Sequence, residues 1–326
     1  MRPKVYIGEL LPDKKSYLPI LYPNLGRIHK PNKLFLDKAY DVLTEPVVEI
    51  VNDPKTCDYF LLPYDYFNIE ARQFEEYLKN FTALAHKHNK KIIIFDFSDL
   101  DKKIYIPDSI QFRVSLYKTD KSGNEIAMPP FVENLGVLTP RAKSDKPTIG
   151  FVGYSRATLK SLFKFGAHKP GLYFRHKAIG LLQDSNDVIT NFKERTSYAG
   201  HIDTINMNPV EARQEFIDNI ASSDLTLEPK GDGNYSIRFF ETLALGRIPI
   251  LIDTDCVLPF EDVLDYSKFI FRINYRELDK ISDKSQMWWE TLSSEEFQGM
   301  QTRAREAFEN HLHMDKFLPQ AFDKYL

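Results

Sequence analysis

The sequence contains few cysteines and no large excess of either charge. Only two cysteines, Cys57 and Cys256, occur among 326 residues, and they lie far apart without CxxC spacing. Isolated cysteines in apolar segments are typical of buried free thiols in a reducing compartment, which excludes a disulfide-stabilised secreted scaffold. The formal net charge is −3. Because general nucleic-acid binders normally carry a large basic excess, we expect no nucleic-acid partner.

Long hydrophobic segments are missing as well. No window approaches 18 uninterrupted apolar residues, and the first residues, "MRPKVYIGELLPDKK", have neither the apolar core nor the cleavage site of a signal peptide. The sequence therefore predicts no transmembrane segment and a cytoplasmic location. The basic segment "HKHNKK" (86–91) is interpreted as the solvated end of a helix, with peripheral contact to an anionic membrane as the alternative.

Length and residue patterns indicate two layered α/β domains. Apolar residues make up 43% of the chain, which is enough for two cores at this length. Runs such as "KIIIFDF" (91–97) and "IPILID" (248–253) are apolar on both faces, as in parallel sheets covered by helices. Helical patterns alternate with these runs, and further helices follow the last run near 284–292, 294–310 and 314–325.

A polar, proline-containing segment separates the two halves. "LTPRAKSDKPTIG" (138–150) interrupts the alternation of strand and helix patterns and precedes a new strand. We therefore predict an N-terminal domain over residues 1–142 and a C-terminal domain over residues 143–326. Ligands of such sheets lie outside the carboxyl ends of the strands, and two facing halves would form a cleft.

The stretch "LEPKGDGNYSIRFFETLALGRIPILIDTD" (227–255) has the features of an anion-binding site. Gly231 and Gly233 follow an apolar run and precede a helix, so the backbone can approach a ligand closely. The N-terminus of that helix offers free N–H groups and a partial positive charge. Ser236 can cap this helix or donate to a phosphate.

Charged residues around the glycines extend this interpretation. Lys230 and Arg238 could neutralise a pyrophosphate, and Glu241, on the same helix face as Arg238, could accept hydrogen bonds from ribose hydroxyls. An ordinary helical ion pair between Arg238 and Glu241 is the alternative. The loop matches neither the P-loop nor the dinucleotide-binding fingerprint.

The stretch also resembles a known family signature. "LEPKGDGNYSIRFFETLALGRIPILIDTDCVLPFEDVLDY" is similar to the C-terminal signature of the exostosin-like glycosyltransferases, in which a basic residue and Gly precede Ser-x-Arg-Phe-x-Glu, an Ile-Pro strand and Leu-Pro-Phe. Supporting similarity occurs in "DPKTCDYFLLPY" (53–64), in "IGFVGYSR" (149–156) and in the closing "WWETLSSEEFQGMQTRAREAFENHL".

The resemblance implies a fold and an activity. The fold would be two Rossmann-like domains facing across a cleft, the type B glycosyltransferase architecture. The second domain would bind a nucleoside-diphosphate sugar, most often UDP-linked, and the first a saccharide or glycan acceptor. The transfer would invert the anomeric centre without a metal, so we expect no cofactor. By position, the donor-binding residues would be Lys230, Gly231, Gly233, Asn234, Tyr235, Ser236, Arg238, Glu241 and, by a looser alignment, Arg156.

Two departures from the family pattern bear on function. Animal members carry an N-terminal membrane anchor, and this sequence shows none. We therefore expect a microbial or viral enzyme on the cytosolic side. Plant members often have a Gly-x-Asp-His block after the "KIIIF"-type strand, where this sequence has "FDFSDLD".

Inverting transfer needs a general base for the acceptor hydroxyl. Asp65 and Asp96 lie at or just past the ends of apolar strands of the first domain and are the candidates, with Asp99 and Glu9 as weaker options. A solvated or capping carboxylate is the alternative for each. Arg238 would assist catalysis by meeting the charge that grows on the leaving diphosphate.

Other interpretations stay open at this point. The "DTD" at 253–255 could hold a divalent metal beneath a pyrophosphate, although a loop lining the donor pocket is favoured. A fucosyltransferase-like enzyme with a GDP-sugar donor is the second hypothesis, and the "PKGDGNYSIRFFE" spacing favours the first. A non-catalytic glycan-binding or partner subunit is the third, and the complete set of Lys230, Arg238 and Glu241 argues against it.

Overall fold

Two parallel β-sheets organise the chain in the computed structural model. The structure describes residues 2–11, 17–27, 38–67, 71–155, 165–197 and 205–326, and for residues 71–73 the backbone only. All strand pairs in both sheets are parallel. The predicted α/β class is therefore confirmed.

The first sheet has six strands among the described residues, in the order β2-β1-β3-β4-β5-β6. Its strands are β1 (Lys4–Tyr6), β2 (Glu49–Ile50), β3 (Tyr59–Leu61), β4 (Ile92–Asp96), β5 (Ser109–Arg113) and β6 (Glu125–Ala127). The strand order reverses between β1 and β3. In open parallel sheets this switch point is where a crevice forms outside the carboxyl ends of the strands.

The second sheet repeats this topology with five strands in the described part of the chain, in the order β11-β10-β9-β7-β8. Its strands are β7 (Thr148–Tyr154), β8 (Ile189–Arg195), β9 (Leu225–Glu228), β10 (Ile248–Asp253) and β11 (Phe271–Asn274). The order reverses between β7 and β9. The carboxyl ends of β7 and β9 therefore flank the switch point of the second sheet.

Amphipathic helices cover the sheets. They are α1 (Tyr22–Leu25), α2 (Ala71–Lys87), α3 (Gly171–Gln183), α4 (Pro209–Ser222), α5 (Ile237–Ala244), α6 (Ile281–Thr291), α7 (Ser294–Ala307) and α8 (Met314–Tyr325). The predicted helices near 284–292, 294–310 and 314–325 agree with α6, α7 and α8. Helical residue patterns also occur near 69–88 and 210–222, where α2 and α4 lie, and near 156–165, most of which lies outside the described residues.

Each sheet has its own apolar core, and the closing helix joins the two halves. Strands of the second sheet pack with α3, α6 and α7 around Trp289 and Phe297. Helix α8 instead packs against the first core, where the rings of Phe112 and Phe322 lie 5.9 Å apart. No helix in the described ranges is long and apolar enough to cross a membrane.

The connection between the sheets lies where the sequence breaks its pattern. Residues 128–147, all of them described, contain neither helix nor strand. The boundary between residues 142 and 143 stays a prediction within this segment. Both cysteines are buried free thiols, as predicted.

Three strands of the first sheet, β2, β5 and β6, were not predicted from the apolar runs. Both β5 and β6 carry buried polar residues. Their charges are paired inside the sheet, since Arg113 donates to Asp96 (2.9 Å) and to Glu125 (2.8 Å). A search for apolar runs overlooks strands whose polar groups are satisfied by partners distant in sequence.

The basic segment 86–91 forms the end of α2 and the turn after it. His86 Nδ1 lies 3.7 Å from Asp108, and Lys90 Nζ donates to the carbonyl of Cys57 at 2.5 Å. Part of this segment therefore has partners within the protein, and contact with a membrane stays a prediction.

Candidate functional site

The candidate site lies at the switch point of the second sheet. β7 ends with Gly153 and Tyr154, and β9 ends with Glu228. The loop 229–236 leads from β9 into α5, whose first turn returns to the switch point. The glycine loop predicted from the sequence therefore lies where a doubly wound sheet binds its ligand.

Arg238 is held at this switch point. Its guanidinium donates a hydrogen bond from Nη2 to the carbonyl oxygen of Val152 in β7. It also lies over the rings of Phe151 (4.5 Å) and Phe216 (5.2 Å). A Cβ atom on Gly153 would lie 3.0 Å from Nη2, so the glycine allows this close approach. The structure thus places a cation beside the carboxyl end of β7.

Glu228 is a buried carboxyl group beside Arg238 that sequence reasoning missed. Oε1 accepts a hydrogen bond from Thr242 (3.0 Å), and Oε2 accepts one from Ser236 (3.2 Å). The residue has no exposed surface. Burial raises its pKa to about 7, although Arg238 and these hydrogen bonds act in the opposite direction. A glutamate ending an apolar strand one residue before the Pro-Lys-Gly turn was the available signal.

Ser236 acts as the N-cap of α5. Its hydroxyl oxygen accepts a hydrogen bond from the N–H of Phe239 at 3.4 Å while the hydroxyl donates to Glu228. The capping role allowed by the sequence is therefore confirmed. A contact between this hydroxyl and a phosphate stays a prediction.

Lys230 connects the loop to the first domain. Its ammonium group donates to the hydroxyl of Tyr117 (2.6 Å) and to the carbonyl of Ala167 (2.8 Å), and the residue is 5% exposed. Burial raises the pKa of the Tyr117 phenol above its usual value. The ring of His168 lies 4.2 Å from that of Tyr117. The predicted phosphate-binding lysine is thus part of a contact between the domains.

The start of α3 packs against the same loop. A Cβ atom on Gly171 would lie 2.1 Å from the carbonyl oxygen of Lys230 and 2.3 Å from that of Gly231. No side chain fits between these backbones. The sequence signal was a glycine after a proline, which the pattern alone did not connect with the loop.

The middle of the loop faces the first domain. The N–H of Gly233 donates to Asp99 (3.3 Å), and the side chain of Tyr235 hydrogen-bonds the same carboxylate. Asn234 is 2% exposed, and its N–H donates to the Ser115 hydroxyl at 2.8 Å. Its side-chain amide bonds the carbonyls of Leu116 and Thr254 and the hydroxyl of Thr254. These three predicted donor-binding residues therefore lie in the contact between the domains.

Glu241 is buried on the inner face of α5. Oε1 accepts a hydrogen bond from Arg213 of α4 at 2.5 Å, and Arg213 also lies 3.5 Å from Glu133. Glu241 is 3% exposed. The ion-pair partner given by the structure is thus an arginine on a neighbouring helix. Arg156 lies outside the described residues.

The carboxylates predicted on the acceptor side differ in their surroundings. Asp65 is half-buried after β3, and its Oδ1 accepts from the N–H of Phe97 at 3.2 Å. Asp96 is fully buried and paired with Arg113, and burial raises its pKa. Asp99 keeps contact with solvent, and dehydration, opposed by the bond from Tyr235, raises its pKa. Glu9 is exposed after β1.

The aspartates of "DTD" both face arginines. Asp253 lies 3.7 Å from Arg272, and Asp255 lies 3.3 Å from Arg276. Asp253 Oδ1 also accepts from the N–H of Cys256 at 3.1 Å. Among the residues that the structure describes, no group of three or more histidine, cysteine or carboxylate side chains could hold a metal ion.

Two cavities mark other parts of the molecule. A cavity of about 20 Å³ lies behind Lys230, Asn234 and Ser236, and it is far too small for a nucleotide. A groove of about 850 Å³ lies at the amino ends of β5 and β6, so it faces away from the switch points. The candidate site is therefore defined here by topology and charge.

Comparisons with known proteins agree with this location. The model of the Exostosin GT47 domain matches residues 167–283, which include β9, the loop and α5. The Exostosin-1 homolog of Caenorhabditis elegans is 21% identical over 266 residues, covering 74% of this chain and 69% of that protein.

Two solved structures were also found by their folds. One is the Anabaena protein HepE in complex with UDP, at 10% identity, 99% coverage of both chains and a TM-score of 0.47. The other is a glycosyltransferase from Rickettsia africae, at 10% identity, 99% coverage of this chain, 97% of that chain and a TM-score of 0.39. Both TM-scores are below 0.5, so the fold assignment rests on the sheet topology itself.

Proposed function

We propose that the chain, which resembles the exostosin-like glycosyltransferases, moves a sugar from a nucleoside-diphosphate donor, UDP-linked in preference to GDP-linked, to a saccharide or glycan acceptor. We propose further that transfer inverts the anomeric centre and needs no metal. The observation that supports the donor site best is Arg238, held by Val152 and two aromatic rings at the switch point of the second sheet.

The diphosphate would bind between Arg238 and the loop. Arg238 offers a planar fork of donors that matches phosphate oxygens, and its position beside β7 leaves it at the carboxyl edge of the sheet. Lys230 supplies a second positive charge from the loop after β9. Gly231 lets the backbone of this loop come close to a ligand.

The nucleoside would bind further along α5. Glu241, oriented by the hydrogen bond from Arg213, is the proposed acceptor for ribose hydroxyls. Its role differs from that of Arg238, because a ribose contact acts in the ground state and the transition state alike. The preference for uracil over guanine rests on the spacing of "PKGDGNYSIRFFE" in the family resemblance.

The reaction would use a carboxylate of the first domain as the base. The acceptor hydroxyl loses its proton to this base, its oxygen bonds the anomeric carbon, and the bond from that carbon to the diphosphate breaks. Asp65 suits this role better than Asp96, because Asp65 reaches solvent after β3 whereas Asp96 is buried against Arg113. The leaving diphosphate gains negative charge that Arg238 stabilises.

The charges around the site support the proposal that transfer needs no metal. In a metal-dependent reaction Asp253 and Asp255 would be the metal ligands, but each of them faces an arginine. Cationic side chains at the switch point supply the charge that a divalent ion would otherwise supply.

The test is a thermal-shift screen with UDP, GDP, CMP and their sugar conjugates, each with and without EDTA. A ligand that binds only the folded state at 100 times its Kd stabilises by about 2.7 kcal/mol. We expect UDP to raise the melting temperature most and EDTA to leave the shift unchanged. A larger shift with GDP would support the fucosyltransferase-like alternative, and loss of binding and turnover on chelation would overturn metal independence.

A further inference from the structure

A buried carboxyl group lies beside the proposed phosphate-binding arginine and has no part in the reaction described above. Glu228 has no exposed surface and ends β9 at the switch point. A buried ionisable group must be compensated by charge or by hydrogen bonds, since dehydration penalises the charged form. The inference below rests on the proposed donor site and adds a role for this residue.

The hydrogen bonds of Glu228 connect it with both ends of α5. Ser236 donates to one carboxyl oxygen at 3.2 Å, and Thr242 donates to the other at 3.0 Å. The hydroxyl oxygen of Thr226 in β9 lies 2.9 Å from that of Thr242 and extends this hydrogen-bond network back to the strand. Arg238 supplies the positive charge that acts on the carboxylate. Glu228 thus hydrogen-bonds Ser236 of the Ser-x-Arg motif and lies within the electrostatic reach of its Arg238.

We propose that Glu228 is a positioning residue that holds Arg238 at the switch point and takes up a proton from solvent when a diphosphate binds there. In the free protein, the carboxylate and Arg238 attract each other. A bound diphosphate would share the guanidinium and would also repel the carboxylate. Protonation removes this repulsion, and the hydroxyl groups of Ser236 and Thr242 can still hydrogen-bond the neutral carboxyl group.

The acidity of Glu228 fits this role. Its pKa is raised to about 7, so a small change in nearby charge alters its protonation at neutral pH. Negative charge beside Arg238 raises this pKa further, because it opposes the deprotonated form. By linkage, a donor that raises the pKa must bind more tightly when the group is protonated.

The groups that face Glu228 come from the elements packed around it. From α5 these are Arg238, Ser236 and Thr242, and from β9 itself the hydroxyl of Thr226. Lys230, two residues further on, is directed to Tyr117 and Ala167. Because Arg238 is the charged group that acts on Glu228, proton uptake should depend on a ligand that reaches Arg238.

The experiment measures binding of UDP-glucose by calorimetry from pH 6 to pH 9. This probe is preferable to UDP, whose terminal phosphate itself titrates near pH 6. For each unit by which binding raises the pKa of Glu228, affinity should increase about tenfold from pH 9 to pH 6. For a rise of one unit, about 0.5 proton should be taken up near pH 7.5, measured by comparing buffers of different ionisation enthalpy.

The variants separate this role from a purely structural one. Glu228→Gln keeps the size and hydrogen-bonding capacity of the side chain, so we expect a folded protein whose UDP-glucose affinity is flat over the same pH range. Glu211→Gln, on an exposed carboxyl of α4, should retain the pH dependence of the wild type. A pH dependence that persists in Glu228→Gln would overturn the proposal.

Failure of the donor site itself has a different signature. If neither UDP nor UDP-glucose binds the wild-type protein at any pH, both the UDP-sugar proposal and this inference are wrong. If UDP-glucose binds with an affinity that is independent of pH and without proton uptake, the donor site stands and only the role of Glu228 is overturned.

Discussion

Replacing Arg238 by alanine tests the central contact of the proposed site. The substitution removes the hydrogen bond to Val152 and the contacts with two aromatic rings. We estimate each of the two cation–π contacts at about 0.5–1 kcal/mol and the charge-assisted bond at about 1.5–3 kcal/mol, so the free energy of unfolding should fall by about 2.5–5 kcal/mol. This loss does not exceed the usual stability of about 5–15 kcal/mol, so we expect the variant to fold.

The effect on transfer should be larger than the effect on folding. If Arg238 meets the charge on the leaving diphosphate, its removal should lower kcat by about 100-fold to 1,000-fold, as for loss of one donor to a developing anion. The donor KM should change less, because this interaction strengthens in the transition state. Initial rates at varied donor concentration measure both constants, and circular dichroism checks the fold.

A matched control distinguishes this role from general loss of positive charge. Arg276, whose side chain is 61% exposed and faces Asp255, lies in the same domain. Arg276→Ala should leave kcat within about twofold, since exposed ion pairs contribute little. A folded Arg238→Ala protein with kcat/KM within about threefold of wild type would refute the donor-site assignment.

Three further predictions concern the surroundings of the loop. Glu228 has a folded-state pKa of about 7, above its usual 4.5, so its contribution to stability is complete below pH 4.5 and is lost as pH rises through 7. We therefore expect Glu228→Gln to be more stable than wild type by about 3 kcal/mol at pH 8 and similar to wild type near pH 4.5. Thermal unfolding at the two pH values measures this difference. Gly171→Ala should displace the loop and weaken donor binding at least tenfold in calorimetry, because its Cβ would lie 2.1 Å from the Lys230 carbonyl oxygen. Gly180→Ala, on the same helix with nothing within 4 Å, should instead stabilise by about 1 kcal/mol; equal effects of the two glycine substitutions would contradict the contact. Asn234→Ala should lower the free energy of unfolding by about 2–4 kcal/mol, because it leaves buried groups of both domains unpaired, whereas Asp232→Ala, at an exposed neighbour, should be neutral in the same denaturant titration.

Features that depend on local pattern were predictable from the sequence. The apolar run 248–253 coincides with β10, and the run 91–97 contains β4. Ser236 could be recognised as a cap because N-capping depends on residue type and on position relative to the helix. These elements are fixed by periodicity and by short-range chemistry, which are visible in a single sequence.

Features that depend on distant partners were not predictable. Asn234 bonds Ser115, 119 positions earlier in the chain, and nothing near the loop indicates that partner. Lys230 likewise meets Tyr117, 113 positions earlier. The location of a loop side chain is decided by which surface the second domain presents to the first. Residue type therefore predicted anion-binding chemistry for the loop. It could not predict which loop residues face a ligand and which contact the first domain.

The loop after β9 connects the contact between the domains with the proposed donor site. Gly233 and Asn234 contact the first domain, while Ser236 and Arg238, two and four residues beyond Asn234, lie at the switch point of the second sheet. The segment is too short to move one set without the other, because adjacent Cα atoms are only about 3.8 Å apart. We therefore expect a change in the angle between the domains to displace the start of α5, and a ligand on Arg238 to favour one angle over others. In the proposed enzyme this loop would join donor binding to acceptor-side geometry, as a reaction between two substrates on opposite domains requires.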